Sequence, residues 1–559
     1  MSIGNVTALH LHTYFLFPFA IDIQTVVEQH GEIWTSGRTW IAGLDDWIAS
    51  EGRLGNNGVV QELGRWKRAS YTRLDLESKA YENVVFFHPF VRRVFFDIQQ
   101  EDPLYRSEQL LRCYTVPVEG RGLHMTTYDS GAEQDSIEVT DLRLFLFANG
   151  IGILSIGVEE FGTPVKRALR INEAMRKVYP SSGRQIREHR IAQRVAFEIR
   201  DGERRHVLID HDFRQGSIKS FRPPLSRTIT ELLYFAAYDE DEYAPVFDER
   251  MIVYTYAALD PASVPHNFRD SDEYQILISR FLYVDREGES FRYEPDFIKQ
   301  QMHQQVYRRW AHQGTYYGFT GYSSISITIG TFDCDDHRMA EGFLVHRMFD
   351  TRYYLMTLAA LFYRATLLEL SERSAIVSKE LTFREGRPLT LEDLELSDEL
   401  RSDFLHFNSY WYFEEMANKD EEIEHFDLQC QQYRIKPMMD ELAKEIEALN
   451  ASVHSYQQLQ NTEAVNRLGI VTMLLGVAAV VTGFFGMNFE REFAGMFFTG
   501  NIASGIFHYL AQILVTMTAF GVIALGTLVI GRNWADYRRT LLPTNKRRIT
   551  RTGRPIRRL

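Results

Sequence analysis

The chain has 559 residues, of which 45% are hydrophobic and 25% charged, so it is long enough for several domains and too apolar to be disordered as a whole. Its three cysteines, Cys113, Cys334 and Cys430, lie far apart and exclude a disulfide-stapled scaffold or a cysteine-rich zinc module. The net charge of −13 is unevenly spread, because Arg532–Leu559 carries +9 and leaves −22 on the preceding residues. We therefore predict an acidic body in a reducing compartment and a basic tail with different surroundings.

The N-terminus lacks the features of a signal peptide. Met1–Thr13 has no basic region, and the apolar stretch Tyr14–Ile21 is short and broken by Pro18. We expect the residues that follow to remain in the cytoplasm.

Residues 1–340 mix strand and helix patterns, which predicts an α+β cytoplasmic domain. Leu142–Phe147 and Ile151–Val158 flank Asn149-Gly150, a strong hairpin signal. Further segments that read as strands are Arg194–Ile199, Gln275–Val284 and Ser323–Thr328.

Aromatic residues are concentrated near the N-terminus, as in the run Asn83–Arg93, which ends in Arg92 and Arg93. An aromatic surface with arginines beside it can stack a base and bind phosphates, so these two arginines are candidates for binding a nucleotide-type ligand. Arg204, Arg205 and Arg214 are available for the same purpose. Aromatic side chains more often fill a core, and that alternative stays open. We expect no direct DNA binding.

From about Asp336 through Lys379 the pattern is helical, which begins a predicted helical domain and stalk at residues 341–466. The acids of Asp333–His337 resemble a metal cluster, although acids before a helix more often cap it, and the metal ligands stay unknown. Tyr353–Tyr363 is too short to span a bilayer and is predicted to be a buried helix.

Seven acidic residues accumulate within fourteen positions before the C-terminal helices: Glu414, Glu415, Asp420, Glu421, Glu422, Glu424 and Asp427. Such a cluster could attract Mg2+ and influence a gate. A charge run is more often a solvated helix face, and we favour that interpretation here.

An apolar seam follows, with a residue every three or four positions at Leu442, Ile446, Leu449, Val453 and Tyr456. No proline occurs between Pro437 and Pro543, so a helix can continue from Met438 to Met487, a length of more than ~70 Å. We predict a stalk that packs against copies of itself, with packing inside its own domain as the alternative.

Two uncharged runs, Leu468–Met487 and Ile506–Ile530, are each long enough to cross a hydrocarbon core of ~30 Å. The loop Asn488–Gly505 between them is short, so both ends of this hairpin lie on one side. The basic tail marks that side as cytoplasmic. We therefore predict a transmembrane hairpin at residues 467–531 and a basic cytoplasmic tail at 532–559; two buried helices of a soluble core are the less favoured alternative.

The first run closes with Gly486-Met487-Asn488, followed by a loop containing Glu490 and Glu492. This arrangement resembles the CorA family of divalent-cation channels, whose signature is a Gly-Met-Asn at the outer end of the first of two C-terminal helices, followed by a short acidic loop. The resemblance covers about the last hundred residues before the tail, and residues 1–340 show no family motif.

The resemblance implies a homopentamer in the cell inner membrane, with both termini cytoplasmic, the lipid bilayer and divalent cations as partners, and Mg2+ as the transported and regulatory ion. Two helices per chain cannot enclose a hydrated path, so several copies must form the pore. A ring of Asn488 carbonyl oxygens can hold a hydrated cation, which suits Mg2+; the alternative is a helix C-terminal residue satisfying its own backbone. Glu490 and Glu492 would concentrate cations at the mouth or, equally, belong to a solvated loop.

The family's pore-facing positions correspond here to Val465, Leu468, Gly476, Ala479 and Gly483. Val465 and Leu468 are apolar, as expected of a constriction that closes by dewetting. Gly476 departs from the bulky apolar residue usual in the family. Glycines every seven positions also suit close helix packing in lipid, which remains an alternative role for Gly476 and Gly483.

Three functions are compatible with these features. The first is a CorA-like membrane channel for Mg2+ or another divalent cation, gated through the cytoplasmic domain. The whole part of the chain before the membrane hairpin, at roughly 460 residues, is larger than an ordinary family member needs. The alternative is therefore a CRISPR-associated CorA-like membrane effector in antiviral defence, opened by a nucleotide-type second messenger. A membrane-anchored enzyme comes last, since it leaves the Gly-Met-Asn motif unexplained. No motif of a phosphate loop, nucleophile elbow or zinc protease is present, so we assign no catalytic residue.

Overall fold

A computed structural model of the protein describes residues 5–35, 39–50, 58–69, 85–95, 110–129, 131–179, 192–202, 204–214, 224–247, 250–265, 267–268, 271–286, 293–330, 344–382, 391–486 and, beyond these, positions 510, 514, 517, 521, 524, 525, 528 and 532. Over the described residues the chain divides into two compact units. The first comprises residues 1–373 with 404–443, and the second comprises 374–403 with 444–549.

The first unit is built around one mixed sheet. Its thirteen described strands are β1 (Thr7–Ile21), β2 (Lys67–Ala69), β3 (Leu111–Thr115), β4 (Leu123–Asp129), β5 (Ala132–Phe147), β6 (Ile151–Pro164), β7 (Arg194–Asp201), β8 (Arg204–Asp212), β9 (Tyr243–Pro245), β10 (Ile252–Leu259), β11 (Val306–Tyr307), β12 (Tyr316–Phe319) and β13 (Ser323–Ile329). They are arranged in the order β11-β12-β13-β10-β1-β6-β5-β4-β7-β8, with β3 also pairing β2 and β5, and β9 pairing β1.

The described helices are α1 (Ile23–Gln29), α2 (Gly31–Trp34), α3 (Trp40–Ala49), α4 (Gly58–Leu63), α5 (Pro89–Phe95), α6 (Val165–Met175), α7 (Arg227–Leu232), α8 (Asp272–Tyr283), α9 (Pro295–Gln304), α10 (Leu344–Met348), α11 (Tyr354–Thr382), α12 (Leu391–His406), α13 (Asp420–Gln432) and α14 (Ile435–Gly486). A π turn at Phe349–Tyr353 joins α10 to α11. The mixture of strands and long helices agrees with the predicted α+β domain followed by a helical region.

Strand β1 lies at the centre of the sheet and pairs antiparallel with β6 and β10. Pro18 lies within β1 but does not break the hydrogen-bonded pairing of this strand with its neighbours. The last β10 pair is Leu16 with Ile252 and the first β9 pair is Phe19 with Pro245, so the proline nitrogen falls in the gap between the two partner strands.

The predicted hairpin at Asn149-Gly150 is confirmed and connects β5 to β6. Gly150 has φ +86°, a left-handed conformation that glycine adopts without strain, and a Cβ there would lie 2.9 Å from the Ile21 carbonyl oxygen. The backbone N–H of Ile151 donates to Oδ1 of Asn149 at 3.2 Å. The predicted strands at 194–199 and 323–328 are likewise confirmed, as β7 and β13.

The predicted strand Gln275–Val284 is wrong, because this segment belongs to helix α8. Ser271 caps the helix, its Oγ accepting a hydrogen bond from the Tyr274 N–H at 3.2 Å, and two acids occupy the first turn. Its apolar residues also follow the helical period, and the buried ones are Tyr274, Leu277, Ile278, Phe281 and Leu282. The β-branched and aromatic composition of this segment therefore predicted the wrong element. The N-cap and the period of the apolar residues both indicate the helix that the structure has.

The alternating side chains of β1 contribute to both faces of the sheet. Thr13 donates to Oδ1 of Asn172 on α6 at 3.0 Å, whereas Tyr14 packs on the opposite face against Tyr354 of α11, with ring centroids 4.6 Å apart. Nearly the whole strand is buried. For this strand, and for the fully buried Trp47, the aromatic residues near the N-terminus fill the core.

Helix α14 runs for 52 residues without interruption, which confirms the predicted long helix. Pro437 lies in its first turn, where a missing N–H costs no helical bond. At ~1.5 Å per residue the helix is about 78 Å long. The apolar seam is partly covered within the single chain, since Ile446 and Val453 are buried while Tyr456 is exposed. This part of the seam is therefore already buried within the single chain, which agrees with the alternative of packing inside the chain.

Candidate functional site

The predicted pore-lining residues share one face of α14, because their spacings follow the helical period. Val465 is 67% and Leu468 56% exposed in the single chain. Gly476, Ala479 and Gly483 are exposed as well. Large apolar side chains exposed on a regular face are unusual on a soluble surface and indicate a surface that meets lipid or another chain.

Helix α14 is described as far as Gly486, the first residue of the Gly-Met-Asn motif. Met487, Asn488, Glu490 and Glu492 lie outside the described residues. Of the second predicted span, the described positions are helical, and the large apolar ones among them are exposed: Leu510, Leu514, Met517, Leu525 and Leu528. Counting the described positions alone, no helix combines the length and apolarity needed to cross a membrane.

Several carboxylates of the acidic segment lie on helix α13 and have specific partners elsewhere in the first unit. Glu421 accepts a hydrogen bond from Nε1 of Trp310 at 2.7 Å. Glu424 accepts from the Tyr307 hydroxyl at 2.5 Å. The expected solvated face is confirmed for the acids that are exposed, which are Glu414, Glu415, Asp420, Glu424 and Asp427. The expectation fails for Glu422, which is buried, and Glu421 is only partly exposed. Hydrogen bonds such as those of Glu421 and Glu424 were not expected. Their partners lie more than a hundred positions away in sequence, so nothing in the local charge pattern reveals them.

Glu422 on the same helix is almost fully buried and forms an ion pair with Arg352 of the π turn. The Arg352 guanidinium also lies over the Phe86 ring, 4.1 Å from its centroid. A carboxylate in such surroundings depends on its cation, because desolvation penalises an unpaired charge.

His425 lies one turn further along α13, buried against aromatic rings and stacked on Tyr353 with centroids 4.2 Å apart. Burial lowers its pKa from the ordinary 6.5 to about 3. The folded protein therefore holds this imidazole neutral across the physiological range.

Acidification is expected to destabilise the first unit through His425. Between about pH 6.5 and pH 3 the unfolded chain binds a proton that the folded chain excludes, so stability falls as pH falls, by up to about 1.4 kcal/mol per pH unit. Thermal unfolding of wild type and of His425→Phe, which keeps a ring against Tyr353, should be compared at pH 7.5 and 5.5. We expect the variant to lose less Tm on acidification. Equal losses would mean that His425 does not contribute to acid sensitivity.

The candidate arginines of the N-terminal region are dispersed. Arg92 lies on the short helix α5 and is partly buried, and the side chain of Arg93 lies outside the described residues. Arg205 pairs with Glu133 at 2.5 Å, and Arg214 pairs with Asp212 at 2.6 Å. The charges of these last two are therefore already compensated within the chain.

A cluster of three histidines and one glutamate lies on the face of the sheet that packs against α10, and the sequence analysis missed it. His10 and His12 are two positions apart on β1, so both side chains point to this face. Glu159 of β6 lies directly opposite His12 in the antiparallel register. His346 comes from α10, which lies over the sheet at this point.

The four side chains form two close pairs. Nε2 of His10 lies 2.5 Å from Oε1 of Glu159, and Nδ1 of His12 lies 2.8 Å from Nε2 of His346. The rings of His10 and His346 are 4.3 Å apart between centroids. One potential ligand atom from each residue lies within 4.8 Å of all the others. Among the described residues, this cluster has the composition of a metal centre.

The electrostatics of the cluster keep His12 and His346 neutral and the Glu159 carboxylate charged. Burial lowers the pKa of His12 to about 3, and burial together with the neighbouring imidazoles does the same for His346. Burial opposes ionisation of Glu159, but the His10 hydrogen bond and the adjacent imidazoles outweigh it and lower its pKa. Neutral imidazole and ionised carboxylate are the forms that coordinate metal ions.

The cluster is closed on one side and open at its rim. His10 and His12 are buried, and Tyr256 packs edge-on against His10 with centroids 5.5 Å apart. Phe161, directly opposite His10 on β6, stacks on its ring but is itself 66% exposed.

Comparison with known proteins bears on the C-terminal part of the chain. No curated protein and no solved structure matches the chain significantly. Residues 406–527 match the family model described as CorA-like Mg2+ transporter protein, which makes this segment similar to a family of divalent-cation transporters.

Proposed function

We propose that the protein is a CorA-like channel that conducts Mg2+ or another divalent cation across the cell inner membrane and is not an enzyme. The observation that carries the proposal is the match of residues 406–527 to the CorA-like Mg2+ transporter model. The matched segment contains the whole of α14, whose exposed apolar face carries the candidate pore positions.

In this proposal the membrane part is the hairpin of residues 467–531, with both termini and the basic tail 532–559 in the cytoplasm. Several copies surround the pore, because the two thin helices of one chain cannot enclose a hydrated path. The number five is what the resemblance to the CorA family implies. The uncovered face of α14 at Val465 and Leu468 lines the narrow cytoplasmic end. Gly476, Ala479 and Gly483 line the wider part above it.

Gly486, Met487 and Asn488 form the selectivity motif at the outer end. A ring of Asn488 side-chain oxygens binds Mg2+ through its hydration shell, which this ion gives up reluctantly. Glu490 and Glu492 add a negative potential that concentrates cations at the mouth. Residues 1–340 form the sensing domain, and the helical domain 341–466 transmits its state along α14.

A second candidate keeps the same pore but assigns its opening to a nucleotide-type messenger, as in a CRISPR-associated CorA-like effector. It is favoured by the size of the sheet domain, which lies almost entirely outside the matched segment. Arg92 and Arg93 are the candidate phosphate contacts. A membrane-anchored enzyme is the remaining alternative.

Ion flux into liposomes containing the purified chain tests the proposal. We expect Mg2+ uptake in wild type that falls as internal Mg2+ rises, and loss of selective uptake in Asn488→Ala because the selectivity ring is removed. Asn501→Ala, in the same predicted loop, is the matched control and should conduct normally.

The outcomes separate the candidates. A silent wild type that remains oligomeric and opens when a nucleotide-type ligand is added supports the messenger-gated effector. Selective uptake that persists in Asn488→Ala overturns the assignment of the motif. Absence of any flux under both conditions, with the oligomer intact, overturns the channel itself.

A further inference from the structure

We propose that His10, His12, Glu159 and His346 form a binding site for one transition-metal ion, with Zn2+ as the best match, inside the sheet domain. This site is separate from the pore and from the Mg2+ that the pore is proposed to conduct. The inference does not depend on the proposed function, since it rests on the geometry of the cluster.

The composition of the donor set excludes Mg2+ as the preferred ion. Mg2+ requires oxygen ligands and retains its water, whereas three imidazoles with one carboxylate suit zinc and its neighbours among the first-row metals. Zn2+ takes four such ligands in a tetrahedron at ~2.0–2.2 Å.

The spacing of the cluster is compatible with that tetrahedron. Bond lengths of ~2.0–2.2 Å place neighbouring ligand atoms about 3.3 Å apart. The four atoms already lie within 4.8 Å of one another. The His10–Glu159 and His12–His346 pairs, at 2.5 and 2.8 Å, need to separate by less than about 1 Å to admit an ion between them.

The protein also prepares these ligands for an ion. His12 has a second ring nitrogen, Nε2, that is buried without a hydrogen-bond partner among the described residues. Such a buried polar atom is costly unless the imidazole gains a compensating interaction elsewhere. A metal bond to this imidazole is one such interaction.

Occupancy would connect three elements that are distant in sequence. Two ligands lie on β1, one on β6 and one on α10, and α10 continues through the π turn into α11. A bound ion therefore holds the start of this helical segment against the centre of the sheet, and its removal releases that link.

Zinc titration of the full-length chain tests the site. Protein purified in detergent and stripped with EDTA is titrated with ZnCl2 by calorimetry, and Co2+ is added in a parallel sample to record its visible spectrum. We expect one ion per chain, a tetrahedral Co2+ spectrum, a rise in Tm on adding Zn2+ and no competition by Mg2+.

His346→Gln is the main variant, because this residue is half-buried on a short helix and its replacement perturbs the core least. Loss of one of four ligands should weaken zinc binding at least about 100-fold, more than loss of an outer-shell partner does. Glu159→Gln, which preserves shape, should also weaken it. His206→Gln, at an exposed histidine outside the cluster, should bind as wild type does.

The proposal is overturned if the stripped protein binds no zinc, or if His346→Gln and Glu159→Gln bind it as wild type does. It is also overturned if Mg2+ displaces the bound ion at equal concentration. In those cases the cluster is two hydrogen-bonded pairs that stabilise the packing of α10.

Discussion

The variant Arg352→Met is expected to lose about 3–5 kcal/mol of unfolding free energy in the sheet domain. The Glu422 side chain is 1% exposed and that of Arg352 11%, so the substitution leaves a carboxylate in the interior without its cation. Methionine fills much of the same volume, so the loss reflects the missing charge rather than a cavity. Thermal unfolding monitored by circular dichroism measures it, as a fall in Tm of several degrees.

The matched control is a second ion pair, formed by Glu424, which lies on helix α13 with Glu422. Arg309 pairs with Glu424 at 3.1 Å, but both side chains are exposed to solvent. Arg309→Met should therefore cost no more than about 1 kcal/mol. The double variant Arg352→Met with Glu422→Leu should recover much of the stability, because an apolar pair replaces the ion pair. If Arg352→Met and Arg309→Met unfold at the same temperature, the Glu422 carboxylate does not depend on Arg352.

The variant Leu468→Asn is expected to raise the resting cation flux of the proposed channel about tenfold. A polar side chain hydrates an apolar constriction and removes its dewetting barrier. A tenfold change corresponds to a barrier lowered by about 1.4 kcal/mol. Flux into proteoliposomes without added ligand measures the effect, and the variant's oligomeric state shows whether its assembly is intact.

The control for this variant is Leu459→Asn on the same helix. Leu459 is exposed like Leu468 but lies nine positions earlier, which places it about 180° around the helix axis. The Leu459→Asn variant should therefore leave the resting cation flux unchanged. A rise of similar size in both variants would indicate general damage to the helix, and no rise in either would mean that Leu468 is not the constriction.

Local sequence patterns were sufficient to predict an element where the residues that determine it are close together in the sequence. The β5–β6 hairpin follows from Asn149-Gly150, because a tight turn needs a residue that tolerates positive φ. The 52-residue helix α14 follows from an uninterrupted helical sequence without an internal breaker. The match at residues 406–527 includes the motif from which the CorA resemblance was inferred.

The same reasoning failed where two local signals disagreed. Gln275–Val284 has the composition of a strand, but its apolar residues recur at the helical period and Ser271 caps the start. Period and capping reflect which face is buried and how the first N–H groups are satisfied, so they outweigh composition. This error was avoidable from the sequence.

The sequence by itself therefore determined the α+β class, the long helix, the two uncharged runs and the Gly-Met-Asn signature, all of which depend on neighbours along the chain. Only the tertiary structure decided which distant side chains meet. Glu422 pairs with Arg352, which is seventy positions away in the sequence, and His12 contacts His346, which is 334 positions away. Such contacts depend on strand register and on where a helix packs over the sheet, and these are set by burial of the whole core rather than by any local pattern.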